Sequence, residues 1–201
     1  MFALIENQQI TKFYSGNRGV ILWDIQYPKS IFTLWSEAER NAIGIFEVTV
    51  DTTNKKDEQW YINTDESYAF ADNQVTRSWG SATAKAHADI LFTAQDEIDG
   101  KGTEGEVATR GLKYNLIQTV KKQAAGELQN TDWYVVRKAD AGTAVPSAIT
   151  NHRAAVRTKA DEQETAITNA ADTPALETLY TYTTTDGVQS RPLGELPTLD
   201  S

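Results

Sequence analysis

No cysteine stands anywhere among the 201 residues. Disulfides, thiolate zinc sites and cysteine nucleophiles are excluded together, while the redox compartment is left open. Long apolar runs are missing too, and nothing approaches the ~20 residues that span a bilayer, so no membrane partner is expected. Clustered basic charge is scarce: the formal net charge is −9, and the pairs Lys121-Lys122 and Arg137-Lys138 are short. They read as solvated helix surface, and a nucleic-acid partner is not expected. The opening Met1-Phe2-Ala3-Leu4-Ile5-Glu6-Asn7 has no basic region before its apolar residues, which argues against a secretory leader.

Catalytic arrangements are equally sparse. The two histidines, His87 and His152, fall on separate segments with no metal-ligand spacing. No G-x-S-x-G elbow occurs, and the Gly100 to Gly105 stretch lacks the Gly-Lys-(Ser/Thr) ending of a phosphate-binding loop. Acid pairs such as Glu37/Glu39 and Asp96/Asp99 fall on expected helix surfaces, where carboxylates are solvated. One metal pattern invites a test: residues 95–106 overlay a twelve-position calcium loop, with Glu97, Asp99, Gly100 and Glu106 in the expected places. Gln95 offers an amide where that loop begins with a carboxylate, and Gly102 replaces an apolar anchor. The expectation is a non-enzymatic protein with no cofactor, no metal and no catalytic residue.

What is present supports a folded chain. Apolar residues make up 40 %, including five Trp, eight Tyr and six Phe, enough for one large domain or two small ones. The first eighty residues read as short strands separated by turn signals. Asn7-Gln8-Gln9 suits a hairpin, Ser15 to Gly19 a loop, and Asp72-Asn73 a tight two-residue turn. Ser36-Glu37-Ala38-Glu39 is a capping box that opens a helix, and Gly44 closes it. Composition shifts near Gly80 toward Ala, Gln, Glu and Lys, which favour helix.

Beyond that shift, Ala84, Ala88, Leu91, Gln95 and Ile98 predict a first long helix. Leu112, Leu116, Ile117, Val120, Ala124 and Leu128 predict a second. A third begins after Pro146 and carries Ile149, His152 or Arg153, Val156, Ala160, Gln163, Ile167 and Ala170 on one face. Pro174 suits the first turn of a short helix ending near Tyr180, and the segment from Thr183 reads as a hairpin or extended arm. The fold class expected is α+β: a β-rich module over residues 1–80, then an extended helical hairpin or bundle with a tail over residues 81–201.

Leu128-Gln129-Asn130-Thr131-Asp132-Trp133 and His152-Arg153-Ala154-Ala155-Val156-Arg157 read as a helix–turn–helix hairpin, with Trp133 packed into the seam. Together they resemble the C-terminal hairpin of phage tail assembly chaperone and tail-fibre assembly proteins. There a leucine-rich helix runs into (Ser/Thr)-Asp-Trp, and the return helix carries Tyr-Arg-x-x-Leu-Arg. Here His152 stands for Tyr and Val156 for Leu. The stretch from Ile25 to Ile45 also resembles N-terminal modules of phage tail-associated proteins. The resemblance implies a protein that binds a phage tail fibre or tail protein in the host cytoplasm during assembly. Its alternative is a structural subunit, such as a fibre-tip or adaptor protein, retained on the tail of the virion. The binding residues expected are Trp133, Arg153, Arg157 and Trp35. Narrow alanine-rich stripes also predict a homo-oligomer, a trimer by analogy with trimeric fibres.

Overall fold

The computed structural model describes residues 1–199. The chain divides into a compact unit over Met1–Thr83 and a second from Ala84 onward. The first is β-rich and the second holds the long helices, an α+β arrangement. None of the described helices is long and apolar enough to cross a membrane.

The first unit holds β1 (Phe2–Glu6), β2 (Gln9–Tyr14), β3 (Val20–Leu22), β4 (Ile25–Tyr27), α1 (Glu37–Ala42), β5 (Ile45–Val50), β6 (Tyr61–Ile62), β7 (Ser67–Ala71) and β8 (Gln74–Ser78). Five strands form one sheet in the order β2-β1-β5-β8-β7. Pairing is antiparallel except between β5 and β8, where Val48 faces Val75. The two tight turns follow from their residues: Asn7-Gln8 and Asp72-Asn73 all have positive φ, the geometry whose twist matches flanking strands.

β1 reads as an unbroken apolar run because both its faces are buried. Phe2 and Leu4 join Ile45, Val20, Leu22, Ile31 and Phe32 in one core, while Ala3 joins Phe46, Val48 and Val75 in the other. The capping box at Ser36 is formed, with Glu39 reaching back to the Ser36 amide at 2.7 Å. Gly44 follows the helix at φ 73°. The hairpin of β3 and β4 was not expected; it turns on Trp23 and Asp24, both at positive φ.

The strand β9 (Thr83–Ala84) sits at the boundary. The second unit then holds β10 (Ile90–Leu91), α2 (Ala94–Ile98), β11 (Val107–Thr109), α3 (Leu112–Gln129), α4 (Asp132–Ala141), α5 (Ser147–Asn169), α6 (Thr173–Tyr180), β12 (Thr183–Thr185) and β13 (Val188–Ser190). The long helix expected over Ala84 to Ile98 is therefore corrected to an extended segment and a single short helix. Thr93 is the reason: its hydroxyl accepts from the Asp96 amide while Asp96 reaches back, which starts a helix at Ala94. Upstream, β10 pairs with β11, and Asp89 accepts from the Gly111 amide at 2.7 Å.

α3 and α5 run antiparallel, since Lys113 reaches Thr168, Lys121 pairs with Glu164, and Arg153 reaches Leu128. The face read for α5 is the one it buries: Ile149, His152, Arg153, Val156, Ala160, Gln163 and Ile167. Gln163, a buried polar residue on that face, donates to the Gly194 carbonyl at 3.0 Å. α6 is capped by Asp172, whose carboxylate accepts from the Ala175 amide, with Pro174 in the first turn. β12 and β13 form a hairpin through Asp186-Gly187.

Candidate protein-docking site

The link between α3 and α5 is more than a turn. An α-helix ends with carbonyls that have no intrahelical partner, and at the end of α3 the Leu128 carbonyl gathers three donors. These are the Thr131 amide at 3.0 Å, the Thr131 hydroxyl at 2.8 Å and Arg153 Nη1 at 2.9 Å. The same Nη1 donates to Thr131 Oγ1 at 2.6 Å. Arg153 Nη2 lies 2.9 Å from Asp132 Oδ1. One guanidinium thus joins the negative end of α3 to an acid in the first turn of α4, both placements that suit the helix dipoles. Arg153 and Thr131 are buried. A planar fork is what permits three acceptors at once.

Held by that joint, α4 projects with no buried residue. Trp133 is 50 % exposed, Val135 44 % and Val136 65 %. The Trp133 and Tyr134 rings lie 3.8 Å apart, centroid to centroid. Arg137 sits one turn on, its guanidinium 4.6 Å from the indole centroid and 5.3 Å from the phenol ring. Gly142, at φ 68°, closes the helix in the left-handed conformation and donates to the Lys138 carbonyl.

This corrects the expected packing of Trp133. The hairpin is pinned by Arg153, and the indole faces solvent because the chain after Asp132 turns into a helix of its own. Of the four expected binding residues, Trp133 and Arg153 are brought together, one presented and the other holding the presenting helix. Arg157 is exposed one turn further along α5, with Nη1 3.5 Å from the Arg153 carbonyl, outside the joint. Trp35 lies in the first unit, packed against the core around Phe2 and edge-on to Tyr27 at 5.9 Å. Tyr134 and Val136 were not singled out from the sequence, and Arg137 was read only as solvated helix surface. Their signal was the spacing of Trp133, Val136 and Arg137 at three and four residues.

The stretch over residues 95–106 spends its carboxylates locally. Asp96 accepts from the Thr93 hydroxyl and amide and from Lys101, which holds its carboxyl down at about 2. Asp99 accepts from Gln95 and pairs with Lys101, and Glu97 accepts from the Glu104 amide. Among the described residues no cluster of three or more His, Asp or Glu could hold a metal ion. Comparison of the chain with family models, curated proteins and solved structures finds no match in any of the three.

Proposed function

We propose that this protein is a non-enzymatic, tail-associated phage protein that docks a tail fibre or tail protein through α4 during assembly. The observation that carries this reading is a ten-residue helix with none of its residues buried and Trp133, Tyr134, Val136 and Arg137 along its length. Isolated helices of this length are marginal in water. This one is fixed at its start by Arg153 and at its end by Gly142, an arrangement suited to presenting side chains and unneeded for the α3–α5 core. Trp, Tyr and Arg dominate binding hot spots, and an apolar helix laid into a partner's groove is a recurring mode of recognition. The residues that carry the resemblance to tail-fibre assembly proteins, Thr131-Asp132-Trp133 and Arg153, are those that build and hold this helix.

The test is co-expression with the tail-fibre and tail proteins of the source genome, followed by affinity purification and mass spectrometry of mature virions. A complex with one of them, lost in Trp133→Ala, together with absence from virions, is the expected result. Retention on the particle would favour the structural subunit, and no complex with any tail protein would contradict the proposal.

A further inference from the structure

We infer that the connection between β2 and β3 in the first unit binds a phosphate monoester carried on a small organic body. The site stands apart from α4 and does not depend on the docking reading.

Glycine builds it. After Tyr14 the chain curls through Ser15-Gly16-Asn17-Arg18-Gly19 before β3 begins at Val20. Gly16 has φ 75°, and a Cβ there would stand 2.9 Å from the Phe2 ring. A Cβ on Gly19 would stand 2.6 Å from the Tyr27 carbonyl oxygen. Without side chains at these two points the backbone lies directly against the core. The curl leaves a hollow of ≈ 490 Å³ lined by residues 12–21, a volume within the ~300–1,000 Å³ of small-molecule sites.

The charge around the hollow selects an anion. Lys12 and Arg18 line it, and no acid stands among its lining residues. Among the described residues neither cation has a carboxylate at ion-pair distance. The chain as a whole carries a formal net charge of −9, so it repels anions. Capture therefore needs a place where cations stand without acids. Burial, and after it the charge of Glu6, raises the Tyr14 phenol. The Glu6 carboxylate is itself engaged, accepting from the Trp23 indole at 2.9 Å.

The donors point the same way. Among the described residues the backbone amides of residues 15–19 meet no backbone or side-chain acceptor. Successive amides left free around a positive φ suit an anion. The Ser15 hydroxyl donates to Asn17 Oδ1 at 2.7 Å, which leaves the Asn17 amide protons unspent. A carboxylate brings one charge, whereas a phosphate monoester brings about −1.5 to −2 and three acceptor oxygens. The second matches two cations and a row of donors. Tyr14 is half-buried with Lys12 Nζ 5.4 Å from its ring centroid, and Ile21 is 69 % exposed. Both give an organic body apolar surface to lie against.

Titration of the full chain with phenyl phosphate at physiological salt, followed by amide proton–nitrogen correlation NMR, tests the inference. Saturable shifts centred on residues 15–19 are expected. Benzoate, with a ring and a single charge, should bind roughly tenfold more weakly, the loss of about one charge-assisted hydrogen bond. Inorganic phosphate, which has no body, should also bind more weakly. Lys12→Gln with Arg18→Gln should abolish saturation, while Lys29→Gln, an exposed cation outside the hollow, should leave the affinity unchanged. Unaltered resonances elsewhere report folding; if the double variant unfolds, Arg18→Gln alone at its exposed loop position carries the same comparison. Shifts that do not saturate or that spread over surface cations overturn the inference. So does benzoate or inorganic phosphate binding as tightly as phenyl phosphate, or Lys29→Gln weakening binding as much as the pair.

Discussion

Replacing Arg153 by alanine removes the joint between α3 and α4, and the structure sets how much that costs. Two charge-assisted hydrogen bonds are lost, to the Leu128 carbonyl at 2.9 Å and to Thr131 Oγ1 at 2.6 Å. Each contributes ~1.5–3 kcal/mol when buried. The contact with Asp132 adds little, because that carboxylate is 57 % exposed and such pairs contribute ~0–1 kcal/mol. The two bonds share one nitrogen and are not additive. Thr131 keeps its own bond to Leu128, which leaves the total loss at about 3 kcal/mol. For a unit of this size that lowers the melting temperature by about 10 °C. Far-ultraviolet circular dichroism at the helical band follows the second unit, which holds α2 to α6. Arg153→Lys should recover less than half, because an ammonium cannot present a planar fork. A double-mutant cycle with Thr131→Val should give a coupling of about 1–2 kcal/mol. A loss below ~1 kcal/mol for Arg153→Ala, or no coupling to Thr131, would refute the reasoning.

Trp133→Ala should lower stability by less than about 1 kcal/mol, since the indole is half exposed and core truncations cost ~3–5 kcal/mol; thermal denaturation checks this, and a core-sized loss would return the indole to the seam. Asp96 should titrate near 2 by carboxyl-resolved NMR. Its depressed value means the α2 cap is fully present above the unfolded value near 3.8 and is lost as the pH falls through about 2. A midpoint at the ordinary value would show that the Thr93 and Lys101 contacts do not persist in solution. Asn73, at φ 60° in the β7–β8 turn, should accept glycine with a gain of a few tenths of a kcal/mol and lose about 1–2 kcal/mol as valine, measured by chemical denaturation.

Much of the fold was legible because it depends on short-range chemistry. Asp72-Asn73 tolerate positive φ, Ser36 with Glu39 completes a cap within four residues, and the stripe from Ile149 to Ile167 repeats with the helical period. The failures share a different cause. Alanines at 84 and 88 fit a helical stripe but bury too little to enforce it, so the Thr93 cap and the β10–β11 pairing prevailed. The Trp23-Asp24 turn places a bulky residue at φ 48°, which propensity disfavours; its indole donates to Glu6 at 2.9 Å, a contact no local pattern encodes. Arg137-Lys138 were read as solvated helix surface, but the extent of α4 escaped notice because none of its residues is buried and periodicity detects best the helices that bury a face. The role of Arg153 depends on a carbonyl 25 residues earlier. Its spacing from Thr131-Asp132-Trp133 was visible, but the acceptor that makes it a joint was not.

The central claim is that α4 is the surface a tail protein covers, and site-specific photo-crosslinking tests it most directly. A benzophenone side chain at Val136, 65 % exposed on α4, is compared with one at Leu34, 80 % exposed in the first unit, in cells expressing the tail-fibre and tail proteins. The account predicts a tail-protein adduct from position 136 that disappears with Trp133→Ala, and none from position 34. An adduct from position 34 alone, or none from either while the tail protein still co-purifies, would contradict it.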